Sequence, residues 1–210
     1  MAVAIGTSES FHFLRAWLAN PLRVASVLPS SSSLSLVITR EITTATGPVI
    51  ELGPGTGVFT RALLTRGVPE EDIVLVESGR EFVGRLRSQF PAASILEMDA
   101  ADLGSVQVHE DLKAGAVISG LPFLSMPPRK ILAILAGTFQ KLRADGALYL
   151  FTYGYFCPIP KVLLDRLGLK STRVGGTFAN LPPAVVYRIK RHPQLPFASS
   201  VDPAPAALAQ

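Results

Sequence analysis

Apolar and polar residues follow two alternating spacings along most of the chain. Short apolar runs, typical of buried strands, recur between segments whose apolar residues are three and four positions apart, as in amphipathic helices. The predicted strands cover residues 49–52, 73–77, 94–99, 114–119, 146–153, 170–174 and 185–191. The predicted helices cover residues 8–27, 34–46, 58–66, 78–90, 129–142 and 159–167. Because alternating strands and helices build parallel sheets covered on both faces, the pattern predicts a doubly wound, mostly parallel α/β sheet with an antiparallel hairpin at its edge.

The first predicted helix, residues 8–27, has a wide apolar face and one polar stripe. Trp17 belongs to the apolar face, and Arg15 and Arg23 lie on the polar stripe. This composition suits a membrane interface, because aromatic and aliphatic groups enter the headgroup boundary while arginines meet lipid phosphates. The alternative is an ordinary helix packed on the rest of the domain. A turn-rich segment, residues 28–33, follows it.

Composition limits the kinds of partner without selecting one. Hydrophobic residues make up 48% of the chain and the mean hydropathy is +0.36, although no apolar run reaches the roughly 18 residues of a spanning helix. A net charge of +4 and a pI of about 9.5 suit an anionic partner, either lipid or nucleic acid. With a single cysteine, Cys157, and three histidines, no disulfide and no metal site are expected. The first residues lack the features of a signal peptide, so a cytoplasmic location is expected.

The clearest candidate chemistry lies in residues 49–60. A buried strand ends there in a loop with Gly53, Gly55 and Gly57, and a helix is predicted to follow. Glycine permits positive φ and close approach of a ligand to the backbone, and a helix start offers unpaired N–H groups. The spacing differs from the dinucleotide fingerprint G-x-G-x-x-G and from the P-loop. Glu51, two residues before the first glycine, would repel a pyrophosphate but suits a cationic ligand that carries an amino-acid group.

The string Glu51-Leu-Gly-Pro-Gly-Thr-Gly57 resembles motif I of the class I methyltransferases that depend on S-adenosylmethionine (SAM). The resemblance implies a seven-stranded Rossmann-like sheet, SAM as the cofactor and S-adenosylhomocysteine as its product. Glu77 ends the second strand, where an acid accepts hydrogen bonds from ribose hydroxyls, and Asp99 with Ala100 matches the family's adenine contact. The cofactor-binding residues expected on this basis are Glu51, Gly53, Pro54, Gly55, Gly57, Glu77, Ser78, Asp99, Ala100 and Ser119.

The segment Ser119–Phe123 follows the fourth predicted strand, where the methyl acceptor is expected. The rRNA adenine dimethylases are similar here, but their Asn-Leu-Pro-Tyr is Gly120-Leu-Pro-Phe in this chain. The amide that would bind an adenine amino group is therefore missing. The RNA-binding helical domain of those enzymes also has no counterpart, since only residues 193–210 follow the last strand. This Pro-, Ala- and Ser-rich tail is predicted to be disordered.

The bacterial phospholipid N-methyltransferases resemble the chain over nearly its whole length, to about residue 191. The matching strings are Val27-Leu-Pro-Ser-Ser31, residues 51–60, Ser119–Phe123 with Met126-Pro127, and Asn180-Leu-Pro-Pro-Ala-Val-Val-Tyr187. This resemblance implies methylation of the amine of phosphatidylethanolamine and its mono- and dimethyl derivatives, toward phosphatidylcholine. An activity like that of the rRNA adenine dimethylases and a small-molecule amine methyltransferase remain alternatives. A non-catalytic membrane-binding module would not need the acids and glycines of the cofactor set together.

An amine acceptor must lose a proton and lie in line with the transferred methyl group. The backbone carbonyls of Gly120 and Leu121 are candidates to orient its N–H groups. Phe123, Tyr153 and Tyr155 are candidates to hold the methylated nitrogen against aromatic faces, and core packing is the alternative for each ring.

Four further residues are candidates for contact with the lipid or its proton. His12 is a possible base if the first helix covers the site, and a surface position is its alternative. Arg15, Arg23 and Lys161 are candidates to bind the lipid phosphate, and Tyr155 could relay a proton through water.

These observations predict three segments along the chain. Residues 1–33 form the membrane-binding helix and turn, residues 34–192 form the methyltransferase domain, and residues 193–210 form the tail. We expect a cytoplasmic protein bound peripherally to the inner membrane, with residues 8–27 on anionic lipid. We also expect it to be a monomer that does not bind nucleic acid.

Overall fold

The computed structural model describes residues 30–106, 113–178 and 183–193. The helix predicted for residues 8–27 lies outside the described residues, and His12, Arg15, Trp17 and Arg23 lie outside with it. Residues 194–210 of the tail are outside as well, so the predictions for both ends of the chain stay predictions.

Within the described residues, seven strands form one sheet in the order β3-β2-β1-β4-β5-β7-β6. The strands are β1 Val49–Leu52, β2 Ile73–Glu77, β3 Ser94–Glu97, β4 Ala114–Ser119, β5 Leu142–Thr152, β6 Leu169–Thr177 and β7 Ala184–Arg191. Strands β1 to β5 pair in parallel, whereas β7 runs antiparallel to both β5 and β6. The predicted doubly wound, mostly parallel seven-stranded sheet is confirmed, together with its antiparallel hairpin.

The strand directions bring most of the loops that can carry a site to one edge of the sheet. Because β5 and β6 both run antiparallel to β7, they point the same way. Strands β1 to β6 therefore end at a common edge, which we call the carboxyl edge. In open α/β sheets, ligands bind at this edge, where the strand order changes direction.

Helices cover both faces of the sheet. They are α1 Ser30–Ile38, α2 Val58–Thr65, α3 Arg80–Gln89, α4 Pro128–Lys141 and α5 Lys161–Arg166, with 3₁₀ turns at Glu70–Asp72, Ala100–Ser105 and Phe123–Ser125. Ile50 and Leu52 of β1 join the core that lies under α4 and α5, whereas Val49 joins the core under α1 to α3. Since side chains alternate along a strand, Glu51 is directed toward the α2 side of the sheet.

Helix α1 differs from the prediction at both ends. The pattern predicted a turn over residues 28–33 and a helix over residues 34–46, but the helix spans Ser30–Ile38. Serine usually favours turns, because its hydroxyl competes for backbone groups. Here the Ser35 hydroxyl donates to the carbonyl of Ser32 at 2.8 Å, within the helix itself. The buried apolar side chains of this helix are Leu34 and Ile38. Their packing on the sheet outweighs the local preference of the serines.

The carboxyl end of α4 is held by Arg191, the last residue of β7. Its guanidinium donates to the carbonyl oxygens of Arg143 at 2.6 Å, Leu142 at 3.3 Å and Phe139. Its Cζ also lies 5.3 Å from the centroid of the Phe139 ring. One cation therefore satisfies several carbonyls at the negative end of the helix dipole.

We expect Arg191→Ala to lower the free energy of unfolding by about 2–4 kcal/mol, because it leaves these carbonyls without their charged donor. Urea denaturation measures the loss. Arg191→Lys keeps the charge but not the planar fork, so it should lose roughly half as much. A loss below about 0.5 kcal/mol for the alanine variant would contradict the capping role.

Candidate active site

The glycine loop joins β1 to α2 at the carboxyl edge. Gly53, Gly55 and Gly57 have φ values of +68°, +54° and +75°, where L side chains are strained. A Cβ atom on Gly53 would lie 2.7 Å from Leu121 Cδ2, and one on Gly57 would lie 2.5 Å from Phe90 Cε2. A Cβ atom on Gly55 would have nothing within 4 Å. The loop is therefore packed against protein at two glycines and open to a ligand at Gly55.

Glu77, at the end of β2, fixes this loop. Its Oε2 accepts a hydrogen bond from the Gly55 N–H at 3.1 Å, and its Oε1 accepts one from the Gly79 N–H at 2.8 Å. The side chain is buried. Each carboxylate oxygen can accept a second hydrogen bond, so the geometry is compatible with the ribose contact predicted for Glu77. Ser78, which follows it, is exposed.

Glu51 is fully buried in β1. The Thr60 hydroxyl of α2 donates to its Oε2 at 2.7 Å, whereas Oε1 has no hydrogen-bond partner among the described residues. Burial raises the pKa of Glu51 to about 7, although the Thr60 hydrogen bond and the charge of Arg61 act in the opposite direction. An unpartnered oxygen on a buried carboxyl group is unfavourable. The arrangement therefore suits a ligand that brings a cationic donor, such as an ammonium group.

Asp99 follows β3 and is held by two partners. Its Oδ1 accepts from the Ala101 N–H at 2.9 Å, and its Oδ2 accepts from Lys130 Nζ at 2.5 Å. Partial burial tends to raise the pKa of Asp99, but these hydrogen bonds and the Lys130 charge outweigh it, so the pKa is lowered. Asp99 is therefore ionised and oriented at neutral pH. Lys130 was not predicted as a site residue. It lies in α4, and nothing in the sequence around it indicates contact with Asp99, which follows β3.

The acceptor segment Ser119–Phe123 packs directly on the glycine loop. The Gly120 N–H donates to the Leu52 carbonyl at 2.9 Å, and a Cβ atom on Gly120 would lie 2.7 Å from the Gly53 carbonyl oxygen. Ser119 is fully buried, and its Oγ accepts from the Leu121 N–H at 3.2 Å. The cofactor loop and the acceptor segment therefore share one contact surface at the carboxyl edge.

The predicted aromatic residues have different surroundings. Phe123 is only 2% exposed and belongs to the core under α4 and α5, which favours packing as its role. Tyr153 is half-buried, with its ring edge-on to Phe151 at 5.4 Å between centroids, and burial raises its pKa to about 12. Tyr155 is 77% exposed. Tyr155 is therefore the most accessible of the three, and a cage role for any of them stays a prediction.

The remaining predicted residues lie in the same region or beyond it. Pro54 and Ala100 are buried beside the cofactor loop residues already described. Lys161 begins α5 and pairs with Asp165 at 2.6 Å, on an exposed surface. A phosphate contact from Lys161 would compete with this pair, and it stays a prediction.

Two features test whether these residues fit SAM. The open space at Gly55 admits a ligand against the backbone, and the unpartnered Oε1 of Glu51 suits the ammonium group of SAM.

In the part of the chain that the structure describes, no group of His, Cys, Asp and Glu could hold a metal ion. Across the same residues, no helix is long and apolar enough to span a membrane.

Known sequences similar to this chain include methyltransferases of two kinds. No protein-family model matches the chain. An ornithine lipid N-methyltransferase from Singulisphaera acidiphila is 29% identical over 85% of this chain and 94% of its own length. A ribosomal RNA small subunit methyltransferase A from Bordetella pertussis is 32% identical, over 50% of this chain and 40% of its own length. The similarity to the lipid enzyme spans most of both chains, whereas the similarity to the rRNA enzyme is local.

Solved structures confirm the fold. A glycopeptide N-methyltransferase, MtfA, in complex with SAM superposes with a TM-score of 0.58 at 11% identity, over 77% of this chain and 94% of that chain. A TehB-like SAM-dependent methyltransferase from Corynebacterium glutamicum gives 0.55 at 14% identity, over 89% of this chain and all of the other (100%).

The seven-stranded fold is that of the class I SAM-dependent methyltransferases, and the glycine loop with the acids Glu51, Glu77 and Asp99 fits SAM as the cofactor. The similarity over most of both chains to a lipid N-methyltransferase confirms the resemblance to that group and supports a SAM-dependent N-methyltransferase.

Proposed function

We propose that the enzyme methylates the amine of a membrane lipid. The acceptors are phosphatidylethanolamine and its mono- and dimethyl derivatives, and the final product is phosphatidylcholine. The observation that carries the proposal is the similarity to a lipid N-methyltransferase over 85% of the chain. The strings shared with the phospholipid N-methyltransferases favour phosphatidylethanolamine. Ornithine lipid is the second candidate, because it is named for the relative that matches nearly end to end.

The chain's own groups have three tasks in this reaction. Bound SAM supplies an electrophilic methyl group, so the protein must orient the amine, accept its proton and exclude water. The backbone of Gly120 and Leu121, packed on the glycine loop, orients the amine through carbonyl oxygens. After methylation the nitrogen has fewer N–H groups, so aromatic faces replace hydrogen bonds. Tyr155, exposed in the loop after β5, is the candidate for this role, with His12 as the candidate base.

The alternative activity on rRNA is disfavoured by the contact at Gly120. An asparagine there would place its Cβ atom 2.7 Å from the Gly53 carbonyl oxygen, a distance that backbone movement would have to relieve. The acceptor segment therefore has no room for the amide that the rRNA adenine dimethylases use. The ribosomal RNA methyltransferase from Bordetella pertussis also matches only 50% of this chain.

Membrane binding by residues 8–27 completes the proposal. We place the protein on the cytoplasmic face of the inner membrane, as a monomer, with Arg15 and Arg23 on anionic headgroups and Trp17 in the interface. Deletion of residues 1–27 should abolish binding to vesicles that contain anionic lipid, and with it lipid methylation. Co-sedimentation and methyl transfer measure the two effects. Unimpaired methylation of vesicles by the shortened protein would contradict a role for this helix.

The lipid substrate can be identified in cells without choosing it beforehand. The chain is expressed in a bacterial host that makes phosphatidylethanolamine but neither phosphatidylcholine nor ornithine lipid, with and without a second gene that supplies ornithine lipid. Mass spectrometry of the total lipid should show mono-, di- and trimethylated phosphatidylethanolamine in both hosts. If only ornithine lipid is methylated, the substrate is ornithine lipid and not phosphatidylethanolamine. No methylated lipid in either host, with the protein folded and binding SAM, would contradict lipid methylation.

A further inference from the structure

Most of the large apolar side chains that the described residues leave exposed lie toward one edge of the sheet. Of the six large apolar residues that the described chain leaves exposed, only Leu36 of α1 lies elsewhere. The other five, which we call the apolar rim, are 54 to 86% exposed. They are Leu124, Tyr155, Phe156, Val162 and Phe178. Isolated exposed apolar residues are ordinary, but a group of them around a site marks an interaction surface.

The topology brings this rim to the carboxyl edge. Leu124 lies in the 3₁₀ turn after β4, Tyr155 and Phe156 lie after β5, and Phe178 directly follows β6. Val162 is in the first turn of α5, which begins after the same β5 loop. Since β4, β5 and β6 all end at the carboxyl edge, three separate loops present apolar side chains at the same edge of the sheet as the acceptor segment.

The loop segments that carry the rim are uncharged. Residues 119–127, 153–160 and 178–183 contain no Asp, Glu, Lys or Arg. Two exposed cations border these uncharged segments, Arg129 at the start of α4 and Lys161 at the start of α5, where Lys161 is paired with Asp165. Glu77, at the end of β2, and Asp99, after β3, lie at the carboxyl edge on the cofactor side. An uncharged apolar surface with bordering cations is complementary to a bilayer with anionic headgroups.

The β5 loop that carries two rim residues is anchored from beneath. Tyr187 of β7 is buried and donates its hydroxyl proton to the Tyr155 carbonyl at 2.6 Å. This hydrogen bond ties the backbone of the loop to the sheet, while the side chains of Tyr155 and Phe156 remain exposed. A fixed backbone presents the rings without the entropy loss of ordering a free loop on binding.

We propose that the apolar rim inserts into the interface of a phospholipid bilayer. The carboxyl edge then faces the membrane, and a lipid amine reaches the acceptor segment while its acyl chains stay in the bilayer. This inference rests on the proposed function and adds to it a second attachment surface, within the catalytic domain and independent of residues 8–27. Phe156 and Phe178 are the most exposed rim residues and should enter deepest.

Tryptophan fluorescence tests insertion at individual positions. The chain has one tryptophan, so the Trp17→Phe variant has no tryptophan fluorescence. A single reporter is then introduced into this variant, either Phe156→Trp or, as the matched control, Leu36→Trp. With vesicles of phosphatidylethanolamine and phosphatidylglycerol, the reporter at 156 should shift to shorter wavelength and be quenched by brominated acyl chains, whereas the reporter at 36 should not change. Equal behaviour of the two reporters would overturn the proposal. A reporter at 156 that is shielded from water before vesicles are added would also overturn it, because another part of the chain would then cover the rim.

Serine substitution tests whether the rim contributes to binding and turnover. We expect Leu124→Ser, Phe156→Ser and Phe178→Ser combined to weaken vesicle binding by at least about tenfold and to reduce turnover of vesicle lipid correspondingly. Leu36→Ser should leave both unchanged. With a short-chain phosphatidylethanolamine dissolved below its micelle concentration, the triple variant should match the wild type within about twofold. Unchanged vesicle binding by the folded triple variant would overturn the inference.

The soluble lipid also separates this inference from the proposed function. Failure of the wild type to methylate either form of phosphatidylethanolamine would count against the proposed function, whereas the reporter at position 156 would still decide whether the rim inserts.

Discussion

Replacement of Gly55 by valine is expected to weaken SAM binding by at least about a hundredfold, which corresponds to roughly 2.7 kcal/mol. The backbone at Gly55 has a φ of +54°, where a β-branched residue is strained. The new side chain would also fill the space that is open at this glycine, where the cofactor approaches the loop. Isothermal titration calorimetry with SAM measures the loss, and methyl transfer should fall with it.

Gly84→Val is the matched control for this substitution. Gly84 lies in α3, a Cβ atom there would meet nothing within 4 Å, and its φ is not positive. The same chemical change should therefore leave SAM affinity unaltered and the fold intact. Equal SAM affinity in the folded Gly55→Val protein would contradict the placement of the cofactor against this loop.

Replacement of Glu51 by glutamine is expected to stabilise the protein without SAM and to weaken SAM binding. Burial raises the pKa of Glu51 from 4.5 to about 7, so the folded state binds this proton more tightly than the unfolded state. The contribution of Glu51 to stability is therefore fully present below pH 4.5, falls as the pH rises toward 7, and stays low above it. Because an ionised buried carboxylate is unfavourable, Glu51→Gln should raise the free energy of unfolding at pH 8 by about 3 kcal/mol.

The same residue makes SAM affinity depend on pH. An ionised Glu51 can pair its free Oε1 with an ammonium group, whereas a protonated one must first release its proton. The wild-type affinity should therefore fall nearly tenfold for each pH unit below about 7. Glu51→Gln should bind SAM roughly 30 to 100 times more weakly than the wild type at pH 8. Its affinity for SAM should also no longer fall as the pH is lowered. Calorimetry across this pH range measures both effects, and unchanged affinity and slope in the variant would exclude Glu51 from the SAM site.

The fold could be predicted from sequence wherever the apolar pattern and the packing agree. Strand β2 was predicted at residues 73–77 and is found there, because a continuous apolar run between turn residues fits only a strand buried on both faces. Helix α1 could not be predicted in this way. Its four leading serines favour a turn locally, and only the burial of Leu34 and Ile38 on the sheet makes the helix favourable.

The candidate site also contains residues that could be predicted from the sequence and residues that could not. Glycine spacing and the acids at strand ends could be recognised, because each is fixed by the backbone of its own strand and loop. The ion pair between Lys130 and Asp99 could not, since it depends on how α4 packs across the sheet. The burial of Phe123 also depends on that packing, and sequence alone does not distinguish a core ring from one that lines a site. The sequence shows that Gly120 replaces an asparagine, but only the structure shows that a Cβ atom there would lie 2.7 Å from the Gly53 carbonyl oxygen.

The central claim is that the chain transfers methyl groups from SAM to a lipid amine. Its most direct test is transfer of labelled methyl from SAM by the purified full chain, in parallel, to lipid vesicles and to unmodified small-subunit rRNA, where the vesicles contain anionic lipid with either phosphatidylethanolamine or ornithine lipid. Gly55→Val and Gly84→Val serve as the inactive and active controls. We expect label in mono-, di- and trimethylated lipid, none in RNA, and no lipid product from Gly55→Val. Label in RNA alone, or in neither acceptor from a protein that binds SAM, would contradict the claim.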